Sequence, residues 1–200
     1  MKRSAIGAIV LGSIVFGPGC AAFKANNLPV VSNDQFKIDN SNKIKVFSRW
    51  TLQTNNSMAN DQTRAAGAAI HKDYFEKALK ESGCCDIAEG PTEADVVIDG
   101  VAYDENNPAA VIPAFITGLS LFTIPSWVTA KVYIAAKATY SAKETNYDLS
   151  DSMTMVQWLP MIFAMPFTGT PMTVGKEVDS NVYRNLVIEL KDDGLLGANI

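Results

Sequence analysis

The chain has 200 residues, 48% of them apolar and 19% charged, with a formal net charge of −4. That composition excludes a disordered chain, and the acidic balance excludes the basic face that a nucleic-acid partner requires. A single histidine and three cysteines leave little from which to build a metal centre.

In chain order, the first signal is a targeting one. Lys2 and Arg3 are followed by an apolar or small run from Ser4 to Phe16, which Gly17-Pro18-Gly19-Cys20 then breaks. A basic start, a short apolar stretch and a small-residue cleavage point make a secretory signal, too short for a spanning helix. With a cysteine directly after that point, the segment resembles a bacterial lipoprotein signal, in which the cysteine is acylated and becomes the mature N-terminus. Ordinary secretion with cleavage near Ala22, or an uncleaved anchor, are the alternatives. The resemblance implies lipid attachment at Cys20, and Ala21 rather than Asp after it implies outer-membrane delivery. Starting at Cys20, the mature chain has 181 residues; without Lys2 and Arg3 it carries 15 basic against 21 acidic side chains, a net charge of −6. That length suits one domain. The expected organisation is a signal over 1–19, a lipidated cysteine and tether over 20–42, and a single domain over 43–200.

Residues 21–42 are rich in Asn, Asp and Ser and read as a tether with no core of its own. Ile44, Val46, Trp50 and Leu52, spaced by two, predict a strand over 43–52. Asp61 is placed to cap a helix over 63–82, with Ile70, Tyr74, Phe75, Ala78 and Leu79 on one face and Gly83 as its stop. Cys84 and Cys85 are neighbours and cannot reach the usual Cα separation without a distorted peptide. Two thiols, one buried and one exposed, are therefore expected, with a vicinal bridge or a partner-chain disulfide as alternatives. Asp95 to Tyr103 reads as a buried strand in which Gly100 marks a bulge or a close approach.

Trp127 to Ala142 alternates apolar even positions with polar odd ones, the pattern of a half-buried strand. Sixteen residues would span ~53 Å, so a bulge or an overhang is expected. Glu144-Thr145-Asn146 is turn-like, and Tyr147 to Trp158 can return antiparallel. A helix near 173–192 carries the stripe Val174, Val178, Val182, Leu186 and Leu190 and stops at Gly194. The order predicts an α+β fold: a small mixed or antiparallel sheet with a long hairpin, and helices on one face.

Two segments carry no charge, 109–128 and 158–168. Pro108, Pro113 and Pro125 break the first, and Pro160 and Pro166 the second; the longest proline-free piece would rise only ~16 Å against a ~30 Å hydrocarbon core. A hairpin turning near 143–146 would set Trp127 opposite about Ile162, so both segments gather at one end. Phe115, Leu119, Phe122, Met161, Phe163 and Phe167 then form an apolar cluster bordered by Trp127 and Trp158. Three readings stand open: a roof over the domain's own sheet, contact with a bilayer, or contact between copies. Three prolines in eighteen residues favour the roof.

Catalytic chemistry has no visible carrier. His71 lies mid-helix and reads as an ordinary helix residue. Asp104-Glu105 and Asp148 with Asp151 read as solvated turns, and there is no GxSxG, Walker loop, GxGxxG or CxxC. A non-enzymatic protein with no catalytic, cofactor or metal site is expected.

The helix ending ALKESG (78–83), the strand ADVVIDGVAY (94–103), the long strand and its return, and the final helix ending ELKDDGLL (189–196) resemble the α/β domain of the curli-secretion-channel lipoprotein. The layout is also similar to the N-terminal domain of TolB and to lipoproteins that activate penicillin-binding proteins. This implies an envelope lipoprotein with its domain in the periplasm, anchored by its N-terminal lipid and binding an envelope protein or a second copy of itself. A membrane-embedded oligomer related to secretion channels, or a carrier of a small apolar ligand or lipid, are the alternatives.

Overall fold

The computed structural model describes residues 20–37, 43–56, 59–104, 111–164 and 167–197, so the expected signal over 1–19 and the expected tether's residues 38–42 lie outside it. The elements in order are β1 (Cys20–Lys24), α1 (Asn33–Phe36), β2 (Ile44–Thr54), α2 (Asp61–Ser82), β3 (Cys85–Ile87), β4 (Val96–Asp104), α3 (Val111–Leu119), β5 (Ser126–Tyr140), β6 (Lys143–Gln157), α4 (Met161–Ala164) and α5 (Pro171–Asp192). The strands form one six-stranded mixed sheet in the order β1-β6-β5-β4-β2-β3. β2 is parallel to β3 and β4, β4 is antiparallel to β5, and β1 is antiparallel to β6. The fold is α+β, as the element order predicts.

The chain divides into two compact units. The larger comprises 25–106, 131–152 and 176–200. Its core follows from strand alternation: Val46, Trp50, Val96, Ile98, Ala102, Ile134, Ala136, Ala138, Tyr147 and Leu149 face inward. Phe75 and Leu79 of α2 and Val182, Tyr183, Leu186 and Leu190 of α5 cover them. The outward residues pair with each other, as in the Arg49–Asp99 and Lys137–Glu144 bridges.

α2 begins one residue earlier than a cap at Asp61 allows. Asn60 is the cap, its Oδ1 accepting from the Thr63 N–H at 2.8 Å, while Asp61 adds negative charge to the first turn. Gly83 ends the helix with φ +76°, the left-handed conformation that favours glycine. Gly100 is a close approach rather than a bulge. The β2–β4 register runs unbroken past it, and the Trp50 ring lies where a Cβ would be.

Three expectations are corrected in this unit. The first is the tether: Val31 and Phe36 are buried in the core, and Arg184 lies over the Phe36 ring at 4.7 Å. Asn181 accepts from the Val31 N–H, and Asn185 donates to the Pro29 carbonyl. The polar composition of 25–37 thus reflects caps and backbone partners, Ser32 capping α1 among them. The second is the cysteine pair. Cys84 and Cys85 are both buried and joined to each other, their Cα atoms 3.7 Å apart. The third is the hairpin turn, which falls at Ser141-Ala142, both with positive φ as a two-residue type I′ turn requires.

The smaller unit comprises 1–24, 107–130 and 153–175. β1 pairs with β6 in the register Cys20↔Gln157 to Lys24↔Met153. The Ala22 N–H also donates to the Gly169 carbonyl at 3.1 Å. Of β5, the residues Tyr133–Tyr140 pair with β4.

Candidate functional site

The smaller unit holds all the residues that the sequence marks as membrane- or partner-facing. α3 opens on Val111 and Ile112 and carries Pro113 in its first turn, where a missing N–H costs little. Eight of its nine residues are exposed and none is charged. Only Thr117 is buried, and its hydroxyl donates back to the Pro113 carbonyl. Such a helix has no hydrophilic face, unlike an ordinary surface helix.

The chain leaves α3 through Leu121 and Phe122, whose φ values of 51° and 62° are uncommon for bulky residues. Hydrogen bonds hold that turn. The Phe122 N–H donates to Thr117, and the Phe122 carbonyl accepts from the Leu159 N–H at 2.8 Å. The second contact joins the two uncharged segments directly. Their strands meet too: the Ser126 hydroxyl donates to Gln157, and Thr129 is bonded to Thr154. With the turn at Ser141-Ala142, the start of β5 therefore lies beside Gln157, and the expected placement of Trp127 opposite Ile162 is about six residues out.

Exposure decides how these side chains are used. Phe115, Leu119 and Trp127 are 65–70% exposed, and Phe163 and Phe167 are 83% and 90% exposed. Phe122, Trp158 and Met161 are half-buried. The expected roof over the core is thus corrected for Phe115, Phe163 and Phe167, whose side chains are mostly exposed. Among the described residues, thirteen of the fifteen large exposed apolar side chains belong to this unit. Lys24 is its single charged side chain among those residues. A shallow apolar cleft of about 210 Å³ is lined by Val111, Ala114, Ser126, Trp127, Val128 and Gln157. Cys20, the register partner of Gln157, is a half-buried free thiol whose pKa burial pushes up.

The larger unit holds a polar cluster that the sequence reading passed over. The His71 Nδ1 is 2.8 Å from the hydroxyl of buried Tyr183, whose ring stacks on Tyr74 at 6.1 Å between centroids. Burial lowers the His71 pKa, with Asp104 pulling the other way. Burial pushes the Asp179 carboxyl up to about 6, against a hydrogen bond from Tyr74. A helix-face assignment for His71 could have found this, since positions 71, 74, 75 and 78 share a side of α2. The cluster fastens α2 to α5. Among the described residues no group of three His, Cys, Asp or Glu side chains is arranged to hold a metal.

No protein-family model matches the chain, and no curated protein matches it. Among solved structures, the hypothetical protein CT253 of Chlamydia trachomatis aligns over 79% of this chain and 100% of its own, with 14% identity and a TM-score of 0.41. A PelC variant from Paraburkholderia phytofirmans, described as a dodecamer, aligns over 84% of this chain and 97% of its own, with 10% identity and a TM-score of 0.36. Protein XCC0632 of Xanthomonas campestris aligns over 77% and 86%, with 8% identity and a TM-score of 0.36. Likenesses at these scores carry no inference about this chain.

Proposed function

We propose that this protein is a non-enzymatic bacterial envelope lipoprotein, acylated at Cys20 and held at the outer membrane, whose larger unit binds a protein partner in the periplasm. The Lys2-Arg3 start and the break before Cys20 support the anchor. The observation that carries the reading is the setting of Cys20. It is a free thiol at the start of β1, inside the unit that holds thirteen of the fifteen large exposed apolar side chains among the described residues. A mature N-terminus there attaches its acyl chains to the least water-compatible part of the molecule. Metabolic labelling with a palmitate analogue tests the anchor: the wild-type protein takes up label, and label retained by Cys20→Ala would refute it.

A second reading, a membrane-associated oligomer, is favoured by the same exposed rings. The secretion-channel version is not, since 111–119 is helical and lacks the strand alternation of a membrane hairpin. Light scattering on detergent-solubilised Cys20→Ser protein separates the two. A monomer supports the first reading, and a defined oligomer the second.

A further inference from the structure

We infer that the smaller unit is itself a bilayer-docking surface, in which the rings of Phe115, Trp127, Phe163 and Phe167 enter the headgroup–acyl boundary of the membrane that holds Cys20. This rests on the anchor proposed above and adds a contact made by protein side chains.

Four observations select a bilayer as the occupant. The first is charge. A protein-binding patch ordinarily has charged residues in its rim, whereas the polar side chains of this unit are uncharged Ser, Thr and Gln, with Lys24 its single charged residue among those described. The second is length. Nine residues of α3 rise about 14 Å, and no described helix is long and apolar enough to cross a membrane, so α3 suits the interfacial layer. The third is Trp127, 68% exposed, whose amphipathic ring suits the boundary between headgroups and acyl chains. The fourth is continuity with the anchor: Cys20 pairs with Gln157, and Gln157 lines the same cleft as Trp127. Acyl chains on Cys20 hold that cleft close to the lipid surface. An acyl chain alone can bind reversibly, and a second apolar contact makes the attachment lasting.

Because the surface lacks a basic cluster, docking depends little on anionic lipid or on salt. The test uses the full protein as the cell processes it, mixed with phosphatidylcholine vesicles containing brominated phosphatidylcholine, with and without phosphatidylglycerol. Tryptophan emission is followed in the wild type and in Trp127→Phe, the difference isolating Trp127. Bromolipid quenching of the Trp127 component is expected, equal in both lipid mixtures and reduced by Phe163→Ser with Phe167→Ser. Full quenching of Trp127 by aqueous iodide, with none by bromolipid, would overturn the proposal. Shielding from both quenchers together with a cross-linked dimer would also overturn it, in favour of a second copy. Intact mass on the same sample reports acylation of Cys20. Loss of the anchor reading and loss of bilayer contact are thus seen separately.

Discussion

The two units use the same kinds of side chain in opposite ways. In the larger one, Phe75, Leu79, Ile98, Ile134, Leu149 and Leu186 are all but sealed from water. In the smaller one, Phe115, Leu119, Trp127, Phe163 and Phe167 are mostly open to it. Apolar content alone does not separate the two, since both are rich in large apolar residues. What differs is the polar remainder. Each core strand of the larger unit alternates with Lys, Arg, Asp or Thr, so burying one face leaves a soluble one. Uncharged segments have no such face to turn outward, and 111–119 is apolar all round. A helix of that kind belongs in a core or against lipid.

Truncating one aromatic residue in each unit is the strongest way to break this contrast. Phe75→Ala should lower stability by ~3–5 kcal/mol through lost burial and the cavity left beside Trp50 and Tyr183. Phe167→Ala should change it by no more than ~0.5 kcal/mol. Chemical denaturation of both variants measures the difference, and equal losses would mean that the smaller unit has a core of its own.

The second test concerns charge inside the larger unit. A carboxyl whose folded pKa is raised stabilises the fold at low pH and loses that contribution as pH rises through the folded value. For Asp179, at about 6, the loss falls between roughly pH 4 and pH 6 and is worth at most ~3 kcal/mol. Asp179→Asn should therefore be more stable than the wild type at pH 8, by ~1–3 kcal/mol, and nearly equal to it at pH 4. His71, its pKa lowered, acts in the opposite sense, favouring the fold above its unfolded pKa and losing that contribution as pH falls. Comparing the two proteins at each pH cancels its part. A constant gap across that range would mean that Asp179 is not desolvated.

A smaller effect sharpens the account of how the larger unit begins α2. Asn60→Ala removes the acceptor for the Thr63 N–H and hydroxyl and should cost ~1 kcal/mol by thermal or denaturant unfolding. Asp61→Ala should cost less, because Asp61 contributes only charge at the helix N-terminus.

The legible parts of the fold were those written in periodicity. Alternation in 127–142 and the stripe from Val174 to Leu190 placed the long strand and the last helix to within a few residues. The hairpin turn is not legible because Ser141-Ala142 adopts a conformation usually signalled by Asn-Gly, while Glu144-Thr145-Asn146 carries the commoner turn residues. Residues 25–37 read as a tether because their attachment depends on Asn181, Arg184 and Asn185, some 150 positions away, which no local pattern reveals. The meeting of 109–128 with 158–168 was readable from the hairpin alone. Which way their rings point was not, since proline-broken apolar runs look the same whether they cover a core or leave it bare.

The smallest expected change in stability is also the most telling about the contrast. Phe163→Ser combined with Phe167→Ser removes two rings that are largely exposed, so each should alter unfolding free energy by no more than ~0.5 kcal/mol. Serine at these positions replaces two exposed rings with small polar groups, and self-association of the detergent-free protein should fall. Burial would predict the reverse: a clear loss of stability, and more aggregation from loosened packing. Melting temperature and sedimentation velocity on the same preparation give both readings. A double variant that melts several degrees lower would place these rings inside, and the division between a buried and an exposed apolar unit would not stand.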